Sequence, residues 1–334
     1  MKELNVATKR GTVLNGVLFD ASRREERIFD SPARGFSHGE KLENPLGFQP
    51  KADTVVIAIT GIHGNFHSNP FYWNFGDTLN AGGIDFVYAQ TNDALGAIRT
   101  RNVVTGKEEI IGSWNERFAY TDEDIEAYLD WAEGAGYKHI ILGGHSLGAN
   151  KVIYYLSRHH DPRVERFMLL SPANLTHMMS GVTDRERDLI RRQVARGDGD
   201  KLLPFYFMGW VECVANTAYD WAFTDTLNNV HVEKDADFTQ VSRITHTGAL
   251  LIGTYDRFTY GDPAGFLKNI NDHMPTAAQN KLIFIEKTGH TYQQKEQEVA
   301  NRLLQLVKEW EAEPHVCGDG RTSTALTTVA TAGR

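Results

Sequence analysis

Three residues that together can break an acyl bond stand in a fixed order along this chain, each just past an apolar run. Ser146 lies in Gly144-His145-Ser146-Leu147-Gly148, Asp256 closes Gly253-Thr254-Tyr255-Asp256, and His290 ends Lys287-Thr288-Gly289-His290. A serine hydroxyl is a poor nucleophile until a base takes its proton. An imidazole is the usual base, and a carboxylate holds that imidazole in the useful tautomer. The chemistry they point to is nucleophilic attack by Ser146 on a carbonyl, with His290 as base and Asp256 as its orienting acid. Asp262 is the rival acid, six residues on. His246 and His273 are weaker rivals of His290, one preceding a strand and the other in a stretch that reads as a loop, Asn271-Asp272-His273-Met274-Pro275.

The surrounding elements are what position these groups. Ile140, Ile141 and Leu142 read as a short buried strand, and Ala149, Val152, Ile153 and Leu156 follow at the spacing of one helix face. Ser146 therefore falls on a sharp strand-to-helix turn, where flanking glycines let main chain approach without a Cβ clash. Before it, residues 4 to 19 suggest two opening strands. Val55 to Thr60 is a clean buried strand, a helix is expected over about 70 to 82, and a strand over Ile84 to Ala89. Thr121 to Gly136 reads as an acid-capped helix, and Val164 to Leu170 as the sixth strand. Residues 20 to 52 and 90 to 120 read as polar excursions. The β-α rhythm stops after Asn174 and returns with strands over Gly248 to Gly253 and Lys281 to Glu286, then a last helix carrying Val299, Leu303, Leu306, Val307 and Trp310. Asp256 and His290 thus follow strand carboxyl ends, on the edge that also carries Ser146.

Attack on a carbonyl also needs main-chain N–H donors for the oxyanion. Leu147, the residue after the nucleophile, is one. Asn65 is the expected second, with Phe66 as the alternative, from the loop His63-Gly64-Asn65-Phe66. His63, Phe66, His145, Trp114 and Trp210 are the candidate lining of a substrate pocket. The aromatic residues of the 174–243 insertion serve equally well as the core of a helical subdomain. His63 and His67 have metal-pair spacing, but Gly64 and Pro70 argue against the helix such a pair requires. Arg99 and Arg101 read as solvated loop residues rather than an anion site.

Composition narrows the class. The chain has 334 residues, 41% hydrophobic and 23% charged, enough for one large α/β domain with an insertion. Its formal net charge of −8 argues against general nucleic-acid binding. Cys213 and Cys317 are too few and too far apart for a disulfide framework, so free thiols and a reducing compartment are expected. The start Met1-Lys2-Glu3-Leu4-Asn5-Val6 lacks the apolar stretch of a signal peptide, and no run reaches the ~18 residues of a membrane span. The expectation is a cytoplasmic enzyme without membrane or nucleic-acid partners.

From His63-Gly64 through Gly144-His145-Ser146-Leu147-Gly148 and Gly253-Thr254-Tyr255-Asp256 to Gly289-His290-Thr291, the chain resembles the α/β-hydrolase superfamily over residues 11 to about 312. Gly197-Asp198-Gly199-Asp200-Lys201-Leu202-Leu203-Pro204 followed by Gly209-Trp210 is similar to a branch that includes fungal siderophore esterases, from which the Asn65 loop and Asn174 depart. The resemblance implies an α/β-hydrolase fold: a mostly parallel central sheet flanked by helices, with a helical cap inserted after the sixth strand. The core would comprise 1–173 and 244–312, the cap 174–243, and a flexible tail 313–334. The implied activity is hydrolysis of a small-molecule carboxylic ester or lactone, with no cofactor and no metal. An acyltransferase with the same residues, or a non-catalytic binding protein on the same scaffold, are the alternatives.

Overall fold

A computed structural model describes residues 1–21, 40–41 and 48–313; most of the 20–52 excursion, Cys317 and the expected tail beyond residue 313 lie outside the described residues. Among the described residues, nine strands form one sheet: β1 (Lys2–Ala7), β2 (Val13–Phe19), β3 (Glu40–Lys41), β4 (Thr54–Ile59), β5 (Asp85–Ala89), β8 (His139–His145), β9 (Val164–Leu170), β10 (Gly248–Gly253) and β11 (Lys281–Ile285), in the order β11-β10-β9-β8-β4-β5-β2-β1-β3. From β11 to β5 every pairing is parallel; β2 pairs antiparallel with both β5 and β1. The parallel strands β4, β5 and β10 are buried along their whole length. That double burial is why they read as unbroken apolar runs and not as alternations.

Helices cover both faces. On one side α1 (Phe71–Ala81) and α8 (Glu296–Glu311) pack together over Val56, Ile141, Met168 and Leu251. On the other, α2 (Thr121–Ala135), α3 (Leu147–Arg158) and α7 (Pro263–Asp272) cover Val55, Ile57, Leu142 and Leu250. Parallel neighbours need a crossover between them, and helices on the two faces supply it. This is the architecture expected from the sequence. No described helix is long and apolar enough to cross a membrane.

Two regions differ from expectation. The second excursion contains a hairpin, β6 (Ile98–Arg101) and β7 (Glu108–Ile111), paired antiparallel away from the main sheet. Its strands are four residues long and half exposed, so no apolar run marks them in the sequence. Between β9 and β10 the chain forms α4 (Leu175–Met179), α5 (Asp184–Ala195) and α6 (Ala215–Phe223) around a separate apolar cluster that includes Ile190, Phe207 and Trp221. Beyond Phe223 this stretch has one short 3-10 turn, Val241–Arg243, so it is helical only in its first part.

Candidate active site

The turn from β8 into α3 holds Ser146 at φ 56° and ψ −126°, a conformation that costs energy for a residue with a side chain. Gly144 and Gly148 make it possible. A Cβ on Gly148 would overlap the carbonyl oxygen of Ile59, and one on Gly144 the carbonyl oxygen of Gly148. The main-chain segments therefore touch where any side chain would part them. Leu147 begins α3, so its N–H points out of a helix N-terminus, where partial positive charge favours an anion.

The loops after β10 and β11 are joined edge to edge. Thr254 N–H donates to the Ile285 carbonyl at 2.9 Å, and Tyr255 N–H to the Thr288 carbonyl at 2.8 Å. This brings Asp256 against His290: His290 Nδ1 lies 2.8 Å from Asp256 Oδ2, and His290 Nε2 lies 2.8 Å from Ser146 Oγ. An ionised carboxylate only accepts, so Nδ1 carries the proton and Nε2 is left to accept from the serine hydroxyl. Asp256 is 2% exposed, and its Oδ1 accepts from Phe258 N–H at 3.0 Å. Burial alone would raise this carboxyl. The His290 ring, through charge and hydrogen bond, outweighs burial and holds the carboxyl below the usual carboxylate range. Phe258 meets the His290 ring edge-on, with centroids 4.5 Å apart. Such a line can take a proton from Ser146 and stabilise the imidazolium that results.

Asp262, the rival acid, is occupied elsewhere: it caps α7, with Oδ1 accepting from Gly265 N–H at 2.8 Å. His273 Nδ1 faces the Asn269 carbonyl at 2.7 Å and His246 Nε2 the Asp161 carbonyl at 3.1 Å; neither meets Ser146.

The loop after β4 approaches Ser146 through Gly61 rather than Asn65. A Cβ on Gly61 would stand 2.8 Å from Ser146 Cβ and 3.4 Å from Leu147 N. Asn65 comes after a turn closed by Gly64 N–H to the Gly61 carbonyl at 2.8 Å, and its side chain organises that turn. It donates to the His63 carbonyl at 2.6 Å and accepts from His67 and Ser68 N–H, both at 2.9 Å. Gly61 is thus the residue of this loop whose main chain lies against Ser146 and Leu147, and Asn65 belongs to the turn beyond it. The signal was present in Thr60-Gly61, a glycine directly after the strand.

Of the expected pocket residues, His63, Trp114 and Trp210 share one cleft of about 460 Å3. Phe66 does not join them. It packs on Tyr88 and Trp73, with centroids 4.5 and 4.6 Å apart, over the apolar layer below α1. His145 is 3% exposed and sits beneath His290, its Nε2 donating to the His290 carbonyl at 2.8 Å. Burial pushes its imidazole down to about 3. Arg99 is on the exposed hairpin, 3.8 Å from Glu108.

Two further residues of α3 escaped the sequence reading. Asn150 Nδ2 donates to the carbonyls of Ala173 and Leu227 at 2.9 and 3.0 Å, so it ties the start of the insertion and a later point within it to the helix that follows Ser146. Lys151 Nζ is buried 2.7 Å from Glu116 Oε1 and 3.3 Å from Asp93 Oδ2, which anchors the 90–120 excursion to the same helix. Neither lies on the apolar face read from Ala149, Val152, Ile153 and Leu156, so spacing alone gave no sign of their burial. Cys213 is buried as a free thiol, and burial pushes it up to about 12.

Residues 62–302 match the model of the alpha/beta hydrolase family. No curated protein sequence matches the chain. Among solved structures, the chain is similar to Est1E from Butyrivibrio proteoclasticus, at 16% identity and a TM-score of 0.58, over 93% of this chain and 99% of that one; Est1E with ferulic acid bound gives 0.60. It is also similar to a soluble variant of monoglyceride lipase from Saccharomyces cerevisiae in complex with a substrate analog (11%, TM-score 0.54, 90% and 92% covered). A third is the alpha/beta hydrolase GrgF from Penicillium sp. sh18 (15%, TM-score 0.56, 92% and 97% covered). At such identities these likenesses speak for the fold alone.

Proposed function

Because the chain belongs to the alpha/beta hydrolase family, we propose that it is a serine hydrolase acting on a carboxylic ester or lactone of a small molecule. The observation that carries this reading is the line Ser146 Oγ, His290 Nε2, His290 Nδ1, Asp256 Oδ2, with both contacts at 2.8 Å. Ser146 attacks the ester carbonyl as His290 takes its proton. The tetrahedral oxyanion sits at the N-terminus of α3 and accepts from Leu147 N–H and from Ile62 N–H. The C–O bond to the leaving alcohol then breaks, His290 returns the proton to that alcohol, and an acyl-serine remains. Water, deprotonated by His290, repeats the sequence and frees the acid. Asp256 stays ionised throughout and fixes the ring. Removing one oxyanion donor in such sites costs about 10²–10³ in kcat.

In this reading residues 174–243 are a cap over the site. Support comes from their own apolar cluster and from Asn150, which holds the chain at Ala173, just before the stretch, and at Leu227 within it. Similar structures include a monoglyceride lipase and Est1E with ferulic acid bound, which supports an ester as the first substrate class to test. The test is labelling with a fluorophosphonate probe and mass mapping of the adduct, beside turnover of an ester panel by the native chain and Ser146→Ala. Labelling at Ser146 and loss of turnover in the variant are expected. Ester turnover that survives Ser146→Ala would overturn the reading.

A further inference from the structure

The cleft that contains His63 is walled by three separate stretches of chain, represented by Gly96, Ala97, Trp114, Leu202 and Trp210. His63 lies two residues past Gly61, at most about 7 Å further along the chain, so the cleft begins within a small substrate's length of Ser146. The His63 ring meets Trp210 edge to face, with centroids 5.2 Å apart and planes at 84°. Trp210 is not a core residue: it is 47% exposed, as is Leu202 at 48%. Large apolar side chains gathered in the open around a concavity mark a binding surface.

The main chain presents these rings at some cost. Phe207 and Val211 exchange main-chain hydrogen bonds of 2.8 and 2.9 Å, which leaves Met208, Gly209 and Trp210 as a three-residue tip. Met208 stands at φ 53°, His63 at φ 55° and Leu95, beside Gly96, at φ 59°. One lining residue of the cleft, and two residues close in sequence to Gly96 and Trp210 of its lining, therefore stand in the left-handed region. Strain of this kind persists where the fold over-determines it, and it concentrates at ligand sites. Charge narrows the ligand further. Glu212 contributes a carboxylate to the lining and no Lys or Arg is among the residues there, so an anionic group would be repelled.

Building on the serine-hydrolase reading, we infer that this cleft is the subsite for a neutral aromatic group of the ester, held by Trp210 and Trp114 with His63 at its edge. Aromatic pairs gain beyond simple area burial, so a ring is favoured over an aliphatic chain of equal length.

Binding is measured by titration calorimetry with uncleaved amides: hydrocinnamamide, heptanamide and the para-carboxylated analogue of the first. The native chain is compared with Trp210→Ala and Trp210→Phe; Trp210 is exposed, so neither change opens the core. The aryl amide is expected to bind at least about tenfold tighter than heptanamide and than the carboxylated analogue. Trp210→Ala should erase the aryl advantage and Trp210→Phe should keep most of it. Equal affinities in the native chain, or an advantage unchanged in Trp210→Ala, overturn the subsite. Fluorophosphonate labelling of the same samples separates the two readings. Labelled Ser146 without aryl preference sinks the subsite alone, and aryl preference without labelling sinks the hydrolase reading while leaving the cleft.

Discussion

His145 Nε2 lies 2.8 Å from the main-chain carbonyl oxygen of His290, so the residue before the serine holds the loop that carries the facing imidazole. The acceptor is a carbonyl, which requires His145 to be neutral or protonated with its hydrogen on Nε2. Phe71 and Tyr292 pack edge-on against its ring, and Tyr292 OH is 3.0 Å from Ser171 Oγ on the loop after β9. His145 is a positioning residue. Replacing it with Phe should lower kcat about 10- to 100-fold with little change in KM, since misplacement of a base by an ångström costs on that order. His145→Gln, which can still donate, should recover part of the loss. A kcat equal to that of the native chain in His145→Phe would remove the role.

The same residue makes stability depend on acid. Its buried imidazole is pushed down to about 3 from a usual 6.5, so between those values the unfolded chain binds the extra proton. Stability attributable to His145 is complete above about 6.5 and is lost as pH falls toward 3, by at most about 1.4 kcal/mol per pH unit. Urea unfolding midpoints should fall more steeply from pH 7 down to pH 4 for the native chain than for His145→Phe. Parallel slopes would exclude His145 as the titrating group.

Asp256 and Asp262 are told apart by what each touches. Asp256→Asn leaves its shape but disturbs the His290 tautomer, and kcat should drop by about 10⁴. Asp262→Ala removes only the cap of α7, costing about 1 kcal/mol of stability with activity retained. The reverse pattern of activities would exchange their roles.

Gly61 allows the loop after β4 to lie against the elbow. Gly61→Ala should drive a methyl into Ser146 Cβ and the His145 carbonyl, where the added carbon would stand 2.8 and 2.9 Å away. Displacing the Ile62 donor should cost about 10²–10³ in kcat, whereas Asn65→Ala, which disturbs only the following turn, should cost far less. Steady-state kinetics of the two variants decides between Ile62 and Asn65 as second donor.

Lys151 carries a buried charge among Asp93, Glu116 and Asp124. Burial would lower it, but these carboxylates outweigh burial and keep it charged, while burial pushes Glu116 up to about 8. Lys151→Met should destabilise the fold by about 3–5 kcal/mol near pH 7, because unpaired carboxylates remain inside. A carboxyl raised in the folded state is tolerated below its unfolded value near 4.5 and costs stability as pH rises toward 8. The deficit of the variant, read from unfolding curves, should therefore be larger at pH 8 than at pH 5. A deficit independent of pH would show that lost packing, not charge, is responsible.

Linear order and apolar periodicity determined much of this protein. β8, the elbow and α3 were legible because a buried strand, a glycine pair and a 3.6-residue face follow one another without interruption. Asp256 and His290 were legible because the first follows a buried strand and the second a mainly apolar edge strand, and the carboxyl ends of both must lie on the edge that carries Ser146. The hairpin β6–β7 was not, since short half-exposed strands leave no periodic trace. Nor could sequence spacing bring Gly61 rather than Asn65 against Ser146, send Phe66 into the apolar layer, or give Asn150 and Lys151 their anchoring contacts. Those outcomes depend on how closely two loops approach and on which partners meet a buried polar group. Such contacts join residues up to about eighty positions apart, and only the tertiary structure brings them within hydrogen-bond reach.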